Sequence, residues 1–210
     1  MSEGNKRIVI KTGTTILGIV CKDGIVMAGD NRASLGGQLI ADKDMQKVFP
    51  INDYLVVAGA GNGTEIAKAP KLLSAELKLK ELKSKRRPTV KEAASLFSNI
   101  EVRESAFILG GFDENGKLSL YEILGGLAVE KKDFCASIGS GLMYVLGYLE
   151  RMWKPEVTVK EGIELAKEAI KASLERDMGS GNGMNVFTIT KDGIKEVVRE
   201  RADLQFKKRE

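Results

Sequence analysis

The sequence predicts an α+β fold, a four-layer α-β-β-α sandwich of two antiparallel sheets flanked by paired helices. Short β-rich segments come in runs joined by tight turn signals, which is typical of antiparallel sheets. Helical segments come in two pairs between these runs, so each pair is expected to lie together on a sheet face. The 210 residues suit a single domain, because domains commonly hold ~100–200 residues.

The N-terminal third is predicted to form strands. The segment Thr14–Lys22 is apolar and β-rich, and Asp23-Gly24 is a strong hairpin signal before a second strand over residues 25–30. Three more short strands are predicted over residues 38–41, 47–51 and 54–61.

Two pairs of helices are predicted, over residues 64–87, 89–100, 141–153 and 158–178. Thr89 and Glu92 have the spacing of a capping box, and so do Thr158 and Glu161. Strands are predicted between and after the pairs, over residues 105–112, 117–124, 184–190 and 194–200. Turn signals at residues 113–116 and 191–193 join them into hairpins.

The composition excludes several classes of function. The chain has no histidine, so Ser-His-Asp and Cys-His catalysis and His-ligated zinc sites are excluded. Two cysteines, Cys21 and Cys135, cannot build a four-thiolate zinc site, and they favour a reducing compartment over a disulfide framework. The net charge of +4 is too mild to indicate a nucleic-acid partner.

Membrane insertion and secretion are not expected either. No apolar run approaches the ~20 residues that a membrane span needs. The N-terminal residues lack the apolar core of ~7–15 residues that a secretory signal contains.

Three glycine-rich segments resemble phosphate-binding or turn motifs. Residues 59–63 follow a predicted strand, but the third glycine of a dinucleotide fingerprint is misplaced, so nucleotide binding there is a remote alternative. Residues 111–118 match the P-loop spacing but place Leu118 where Ser or Thr is needed, which favours a hairpin turn. Residues 179–183 follow a helix and are interpreted as a helix stop and turn.

The most informative residue is Thr14. A Thr-Thr pair that enters a strand is explained by ordinary β-propensity. Two observations favour a functional interpretation. Gly13 would allow close backbone approach during cleavage, and a hydroxyl nucleophile without histidine needs another base. A free α-amino group titrates near ~7.7–8. A threonine made N-terminal by cleavage therefore carries nucleophile and base together.

The motifs around Thr14 resemble the mature N-terminus of a proteasome β subunit of the archaeal type, and the resemblance runs from Thr14 to about Lys195. Its motifs occur in the family's order: Thr14-Thr15-x-x-Gly18-Ile19-x-x-Lys22-Asp23-Gly24, Met27-Ala28-Gly29-Asp30-x-Arg32-Ala33, Gln46-Lys47-Val48-Phe49, Ala60-Gly61, residues 137–141 and residues 176–181. The resemblance implies the N-terminal-nucleophile hydrolase fold. It also implies that residues 1–13 are a propeptide, removed autocatalytically at Gly13-Thr14, and that residues 14–210 are the catalytic domain.

The resemblance also implies a set of site residues. Thr14 would attack the peptide carbonyl, Lys47 would be an adjacent cation held by Asp30, and the choice between Lys47 and the Thr14 amine as general base stays open. The Gly61 backbone N–H would stabilise the oxyanion. Further residues would orient the new terminus, namely Ser140, Asp177 and Ser180. The substrate pocket would be lined by Ala33, Met45, Phe49, Gly59 and Gly63.

Taken singly, these residues have simpler explanations. Asp30 and Lys47 could form a surface ion pair, and Ser140 and Ser180 lie in glycine-rich turns where serine is common. Their ordered occurrence with Thr14 favours the catalytic interpretation.

Two departures from the family pattern are visible. The stretch from Arg32 to Lys47 is one residue longer than usual, so Gln46 and Lys47 compete for the lysine position, and the Lys-aliphatic-aromatic pattern favours Lys47. Residues 98–104 look shortened, which concerns ring contacts rather than chemistry.

The resemblance implies a threonine-type endopeptidase that acts on unfolded proteins in the cytoplasm without a cofactor or metal. Its partners would be other β subunits in a seven-membered ring, α-subunit rings and a regulatory ATPase ring, with no nucleic acid and no membrane. The alternative within the same particle is an unprocessed, non-catalytic structural β subunit.

Overall fold

Two antiparallel sheets form the centre of the computed structural model, which describes residues 13–35, 39–136 and 138–201. Each sheet has five strands, and a pair of helices covers its outer face. The predicted α-β-β-α sandwich is therefore confirmed. Residues 1–12 of the predicted propeptide and Ser137 of a predicted motif lie outside the described residues.

The first sheet has the strand order β10-β1-β2-β11-β12. Its strands are β1 (Ile16–Cys21), β2 (Gly24–Asp30), β10 (Phe134–Ala136), β11 (Gly183–Thr190) and β12 (Gly193–Arg201). The predicted Asp23-Gly24 hairpin is present, because Cys21 pairs with Gly24 across it. This sheet carries the residues that follow Thr14 and the strand that ends at Asp30.

The second sheet has the order β5-β6-β7-β8-β9. Its strands are β5 (Val48–Pro50), β6 (Leu55–Gly61), β7 (Ser105–Phe112), β8 (Leu118–Leu124) and β9 (Leu127–Lys131). The P-loop-like segment is the β7–β8 turn, in which the Asp113 N–H donates to the Lys117 carbonyl, so the hairpin interpretation is correct. A small two-stranded sheet, β3 (Ala33–Leu35) and β4 (Leu39–Asp42), follows β2.

Four helices are described: α1 (Gly63–Ser84), α2 (Val90–Ser98), α3 (Leu142–Met152) and α4 (Val159–Leu174). Both predicted capping boxes are present, with Thr89 and Thr158 as the N-caps. Helix α4 ends at Leu174, before the predicted end at residue 178. Asp177 therefore lies in a turn, where its carboxylate can reach residues outside the helix.

Three apolar layers hold the sandwich together. The middle layer lies between the sheets and includes Met27, Ile108 and Phe187, while each outer layer packs one sheet against its helix pair. Gly18 lets the sheets approach closely, because a Cβ there would lie 2.8 Å from a Leu120 methyl carbon. Strands β2 and β6 are almost continuously apolar because both of their faces are buried between these layers.

Three short strands were not predicted from the sequence: β3, β9 and β10. Strands β3 and β10 have three residues each, which is too short for an alternating pattern. Strand β9 is a partly exposed edge strand that ends in Glu130 and Lys131, so its sequence lacks the apolar alternation from which a strand is predicted. Strands β9 and β10 form because the longer β8 and β1 offer them unpaired backbone groups.

Within the described ranges, no helix is long and apolar enough to cross a membrane, and no group of three or more metal-ligating Cys, Asp or Glu side chains occurs.

We predict that both thiols of the folded protein resist alkylation. Cys21 and Cys135 are buried, and this burial raises the pKa of each thiol to about 12, so the reactive thiolate is scarce near neutral pH. Intact-mass analysis after iodoacetamide treatment at mildly alkaline pH should show no adduct on folded protein and two adducts after denaturation. Rapid labelling of either cysteine in the folded state would contradict this assignment.

Candidate active site

Thr14 lies buried at the entry to β1, between two loops of the first sheet. Its backbone N–H donates to Ser140 Oγ at 3.1 Å, and its hydroxyl donates to the Gly13 carbonyl at 2.7 Å. A Cβ on Gly139 would overlap the Thr14 carbonyl, so glycine allows that loop to approach this closely. Thr14 is therefore held through its main chain, and its hydroxyl is directed at the preceding peptide.

Asp30 ends β2 and is completely buried. Its Oδ1 accepts from Lys47 Nζ at 2.7 Å and from the Thr15 N–H at 2.8 Å, and its Oδ2 accepts from the Arg32 and Gly181 N–H groups at 3.0 Å each. A buried carboxylate is costly unless such partners replace its water. The strand end and three neighbouring segments are thereby joined at one side chain.

Lys47 precedes β5, and its side chain has no solvent exposure. Its ammonium donates to Asp30 and, at 2.9 Å, to the Gly13 carbonyl. Burial lowers the pKa of Lys47 below its ordinary value, while the charge of Asp30 acts in the opposite direction. Gln46 is exposed, and its amide donates to the Val48 carbonyl, so the side chain that enters the site is that of Lys47.

Asp177 joins two serines behind Thr14. Its Oδ2 accepts from Ser140 Oγ at 2.5 Å and from Ser180 Oγ at 2.6 Å. Ser140 in turn accepts from the Thr14 N–H, and Ser180 Oγ lies 2.7 Å from Thr15 Oγ1. The three residues therefore form one hydrogen-bonded network on the backbone nitrogen of Thr14.

Gly61 ends β6 with a φ of +120°, where its missing Cβ would overlap the Glu104 carbonyl. The Gly59 N–H donates to the Lys47 carbonyl at 3.0 Å, which fixes the end of β6 relative to Lys47. Gly61 lies two residues farther along the same strand. The oxyanion role of its N–H stays a prediction.

Two of the five predicted pocket residues line one cavity. Met45 and Phe49 face a space of about 550 Å³ between residues 42–51 and α1, together with Ile66 and Pro70. The other three lie elsewhere: Ala33 in β3, Gly63 at the start of α1, and Gly59 in β6, where a Cβ would meet the Phe107 ring.

Arg32 carries a contact that the sequence analysis did not assign. Its Nε donates to Asn182 Oδ1 at 2.8 Å, and its Nη1 donates to the Met178 carbonyl at 3.0 Å. A Cβ on Gly181 would overlap the guanidinium, and Asn182 has a φ of 61°. Arg32 therefore holds the loop that contains Ser180. Arg32 belongs to the sequence motif over residues 27–33, but nothing in the sequence indicates that it binds Asn182, 150 residues away.

Ser34 and Thr15 also went unassigned. Ser34 Oγ accepts from the Gly13 N–H at 2.8 Å, and Thr15 contacts both Asp30 and Ser180. None of these contacts could be predicted from the sequence, because each joins residues at least 15 positions apart in the chain.

The glycine-rich residues 59–63 do not form a phosphate cradle. Asn62 is the N-cap of α1, and its side-chain oxygen accepts from the Thr64 and Glu65 N–H groups. The carboxylate of Glu65 also lies in this first turn, where it accepts from the Arg103 and Glu104 N–H groups. The helix start is thus already capped and negatively charged, which disfavours the nucleotide-binding alternative.

Comparisons with known proteins place the chain in a family. The family model described as "Proteasome subunit" matches residues 10–189. "Proteasome subunit beta 1" of Thermococcus onnurineus is 40% identical over 93% of this chain and 97% of its own length. "Proteasome subunit beta" of Archaeoglobus profundus is 41% identical over 91% of each chain, and that of Nanoarchaeum equitans is 39% identical over 89% of this chain and 98% of its own.

The family-model match covers every segment that contributes to the network around Thr14. The chain belongs to the proteasome subunit family, and the archaeal relatives that it resembles are β subunits.

Proposed function

We propose that this chain is a catalytic β subunit of a proteasome core particle, a threonine-type endopeptidase that exposes Thr14 by cleaving its own Gly13-Thr14 bond. One observation carries the proposal. The Gly13 carbonyl accepts hydrogen bonds from both the Thr14 hydroxyl and the ammonium of the buried Lys47. A nucleophile and a cation thus meet at the peptide bond that would be cut.

Self-cleavage would begin with attack of Thr14 Oγ on the Gly13 carbonyl carbon. The new C–O bond replaces the C–N bond, and the hydroxyl proton passes to the Thr14 nitrogen. Water then hydrolyses the ester, which leaves a Gly13 carboxylate and a free α-amine. The Lys47 ammonium, bonded to the carbonyl oxygen, stabilises the negative charge that develops there.

Peptide hydrolysis would reuse the same hydroxyl. Thr14 Oγ attacks the substrate carbonyl carbon, and its proton passes to the α-amine or to the neutral amine form of Lys47. The peptide C–N bond then breaks as that proton is given to the departing amine, and water hydrolyses the ester to free Thr14 Oγ and the new carboxylate. Asp30 holds the Lys47 side chain, and the Ser140-Asp177-Ser180 network holds the nitrogen that becomes the amine. The Gly61 N–H would stabilise the oxyanion, a contact typically worth ~3 kcal/mol.

The proposed substrates are unfolded polypeptides. The apolar cavity at Met45 and Phe49 favours a hydrophobic side chain before the cut. The subunit would work in the cytoplasm within a ring of seven β subunits, stacked with α-subunit rings and supplied by an ATPase ring.

The second candidate is an unprocessed structural subunit of the same particle. In such a subunit the Thr14 nitrogen would remain an amide that donates to Ser140, so no free amine would form. Intact mass of the assembled particle separates the two candidates. Loss of residues 1–13 supports the catalytic subunit, and a full-length chain supports the structural one.

We predict that Thr14→Ala abolishes both self-cleavage and peptidase activity, because the attacking oxygen is removed. Intact mass should show the full-length chain, and a fluorogenic peptide should not be turned over. Thr14→Ser, which keeps a hydroxyl, should retain part of both activities, and the exposed Thr64→Ala is a control for the substitution itself. Turnover by assembled Thr14→Ala particles would refute the proposal.

We predict that Lys47→Ala lowers kcat/KM by about 100- to 10,000-fold, the range expected for a proton-transfer group. Gln46 is exposed and lines the cavity at Met45 and Phe49, so Gln46→Ala is compared in kcat. Its kcat should change less than about threefold, since exposed substitutions rarely shift free energies by more than ~0.5 kcal/mol. Circular dichroism and assembly must be checked, because removing one partner of a buried ion pair costs ~3–5 kcal/mol. A larger loss in the Gln46 variant than in the Lys47 variant would show that the catalytic position has been assigned to the wrong residue.

We predict that kcat/KM falls as the pH is lowered. The group that accepts the Thr14 proton must be unprotonated, so activity is lost as the pH falls through its pKa and levels off above it. An α-amine has a pKa of ~7.7–8, and burial lowers the pKa of Lys47 below its ordinary value. With either acceptor, the fall in kcat/KM should therefore occur at a pH below the ordinary pKa of lysine. A profile measured from about pH 5 to 10 that is flat or rises toward acid would contradict this.

A further inference from the structure

Ser34 contacts the peptide that precedes Thr14. It lies in β3, where the register against β4 shifts between Ala33 and Ser34, and only 2% of the residue is exposed. Such irregularities in strand pairing redirect side chains and are common beside active sites. Ser34 Oγ accepts from the Gly13 N–H at 2.8 Å.

Three segments confine Gly13. Ser34 binds its N–H, Lys47 binds its carbonyl, and the backbone of Gly179 lies so close that a Cβ on Gly13 would overlap it. Because Gly13 has no side chain, contacts to its peptide groups orient it. Ser34 supplies the contact on the nitrogen side, and Lys47 supplies the contact on the carbonyl side.

We propose that Ser34 is a positioning residue for self-cleavage, which holds the Gly13 amide so that its carbonyl faces the Thr14 hydroxyl. This inference rests on the proposed function and adds a residue to it. Holding a reactant in the attacking geometry lowers the barrier that random orientation would impose. Gly13 leaves with the propeptide, so the contact belongs to the uncleaved chain and its loss should fall on maturation.

The test follows self-cleavage by intact mass after assembly with the other particle subunits. Ser34→Ala should cleave roughly two- to tenfold more slowly than wild type, the range that one neutral hydrogen bond supplies. Ser34→Thr keeps the hydroxyl and should restore most of the rate. Ser119→Ala removes another buried serine hydroxyl, bonded to Glu130 on the second sheet, and is the matched control with a wild-type rate.

A second measurement separates positioning from general damage. Ubiquitin fused directly before Thr14 and removed by a ubiquitin-specific protease exposes the amine without self-cleavage. In particles made this way, Ser34→Ala should lose less in peptide turnover than it loses in self-cleavage.

The outcomes distinguish the two proposals. If wild type cleaves itself but Ser34→Ala does so at the same rate, or if both rates fall equally, the role of Ser34 is refuted and the proposed function stands. If assembled wild type keeps residues 1–13, the proposed function fails and the role of Ser34 fails with it.

Discussion

The buried ion pair between Asp30 and Lys47 constrains the rest of the site. Two charges removed from water destabilise the fold unless every polar atom finds a partner. The partners come from different parts of the chain: Thr15 before β1, Arg32 before β3, Gly181 after α4 and the Gly13 carbonyl. Satisfying this one pair therefore places Thr14 and its neighbours relative to both sheets.

Close backbone approach is the second requirement. Gly139 lies against the Thr14 carbonyl, Gly179 lies against Gly13, and Gly181 lies against the Arg32 guanidinium, at separations that a Cβ would fill. The glycines that resemble helix stops and turns in the sequence are thus packing contacts around Thr14. They let two loops from the C-terminal half reach the N-terminal strand, and the Asp177 network is built on those loops.

In the proposed function, the same side chains around Thr14 serve first in self-cleavage and then in peptide hydrolysis. Lys47 contacts the Gly13 carbonyl in the uncleaved chain, and departure of the propeptide leaves its ammonium beside the Thr14 hydroxyl. Ser140 binds the Thr14 nitrogen as an amide and would bind it as an amine. The self-cleaving site and the peptidase site are then the same structure before and after loss of one peptide bond, which explains why no histidine is required.

The layered fold, both capping boxes, three of the hairpins and the family could be predicted from the amino-acid sequence, because they depend on local turn and cap chemistry and on ordered motifs. The sequence also named Thr14, Asp30, Lys47, Ser140, Asp177 and Ser180, which the structure brings together. The end of α4, the strands β3, β9 and β10, and the contacts of Arg32 and Ser34 became visible only in the packed fold. These features arise from partners far apart in the chain, and burial and close approach exist only once the sheets and loops have packed.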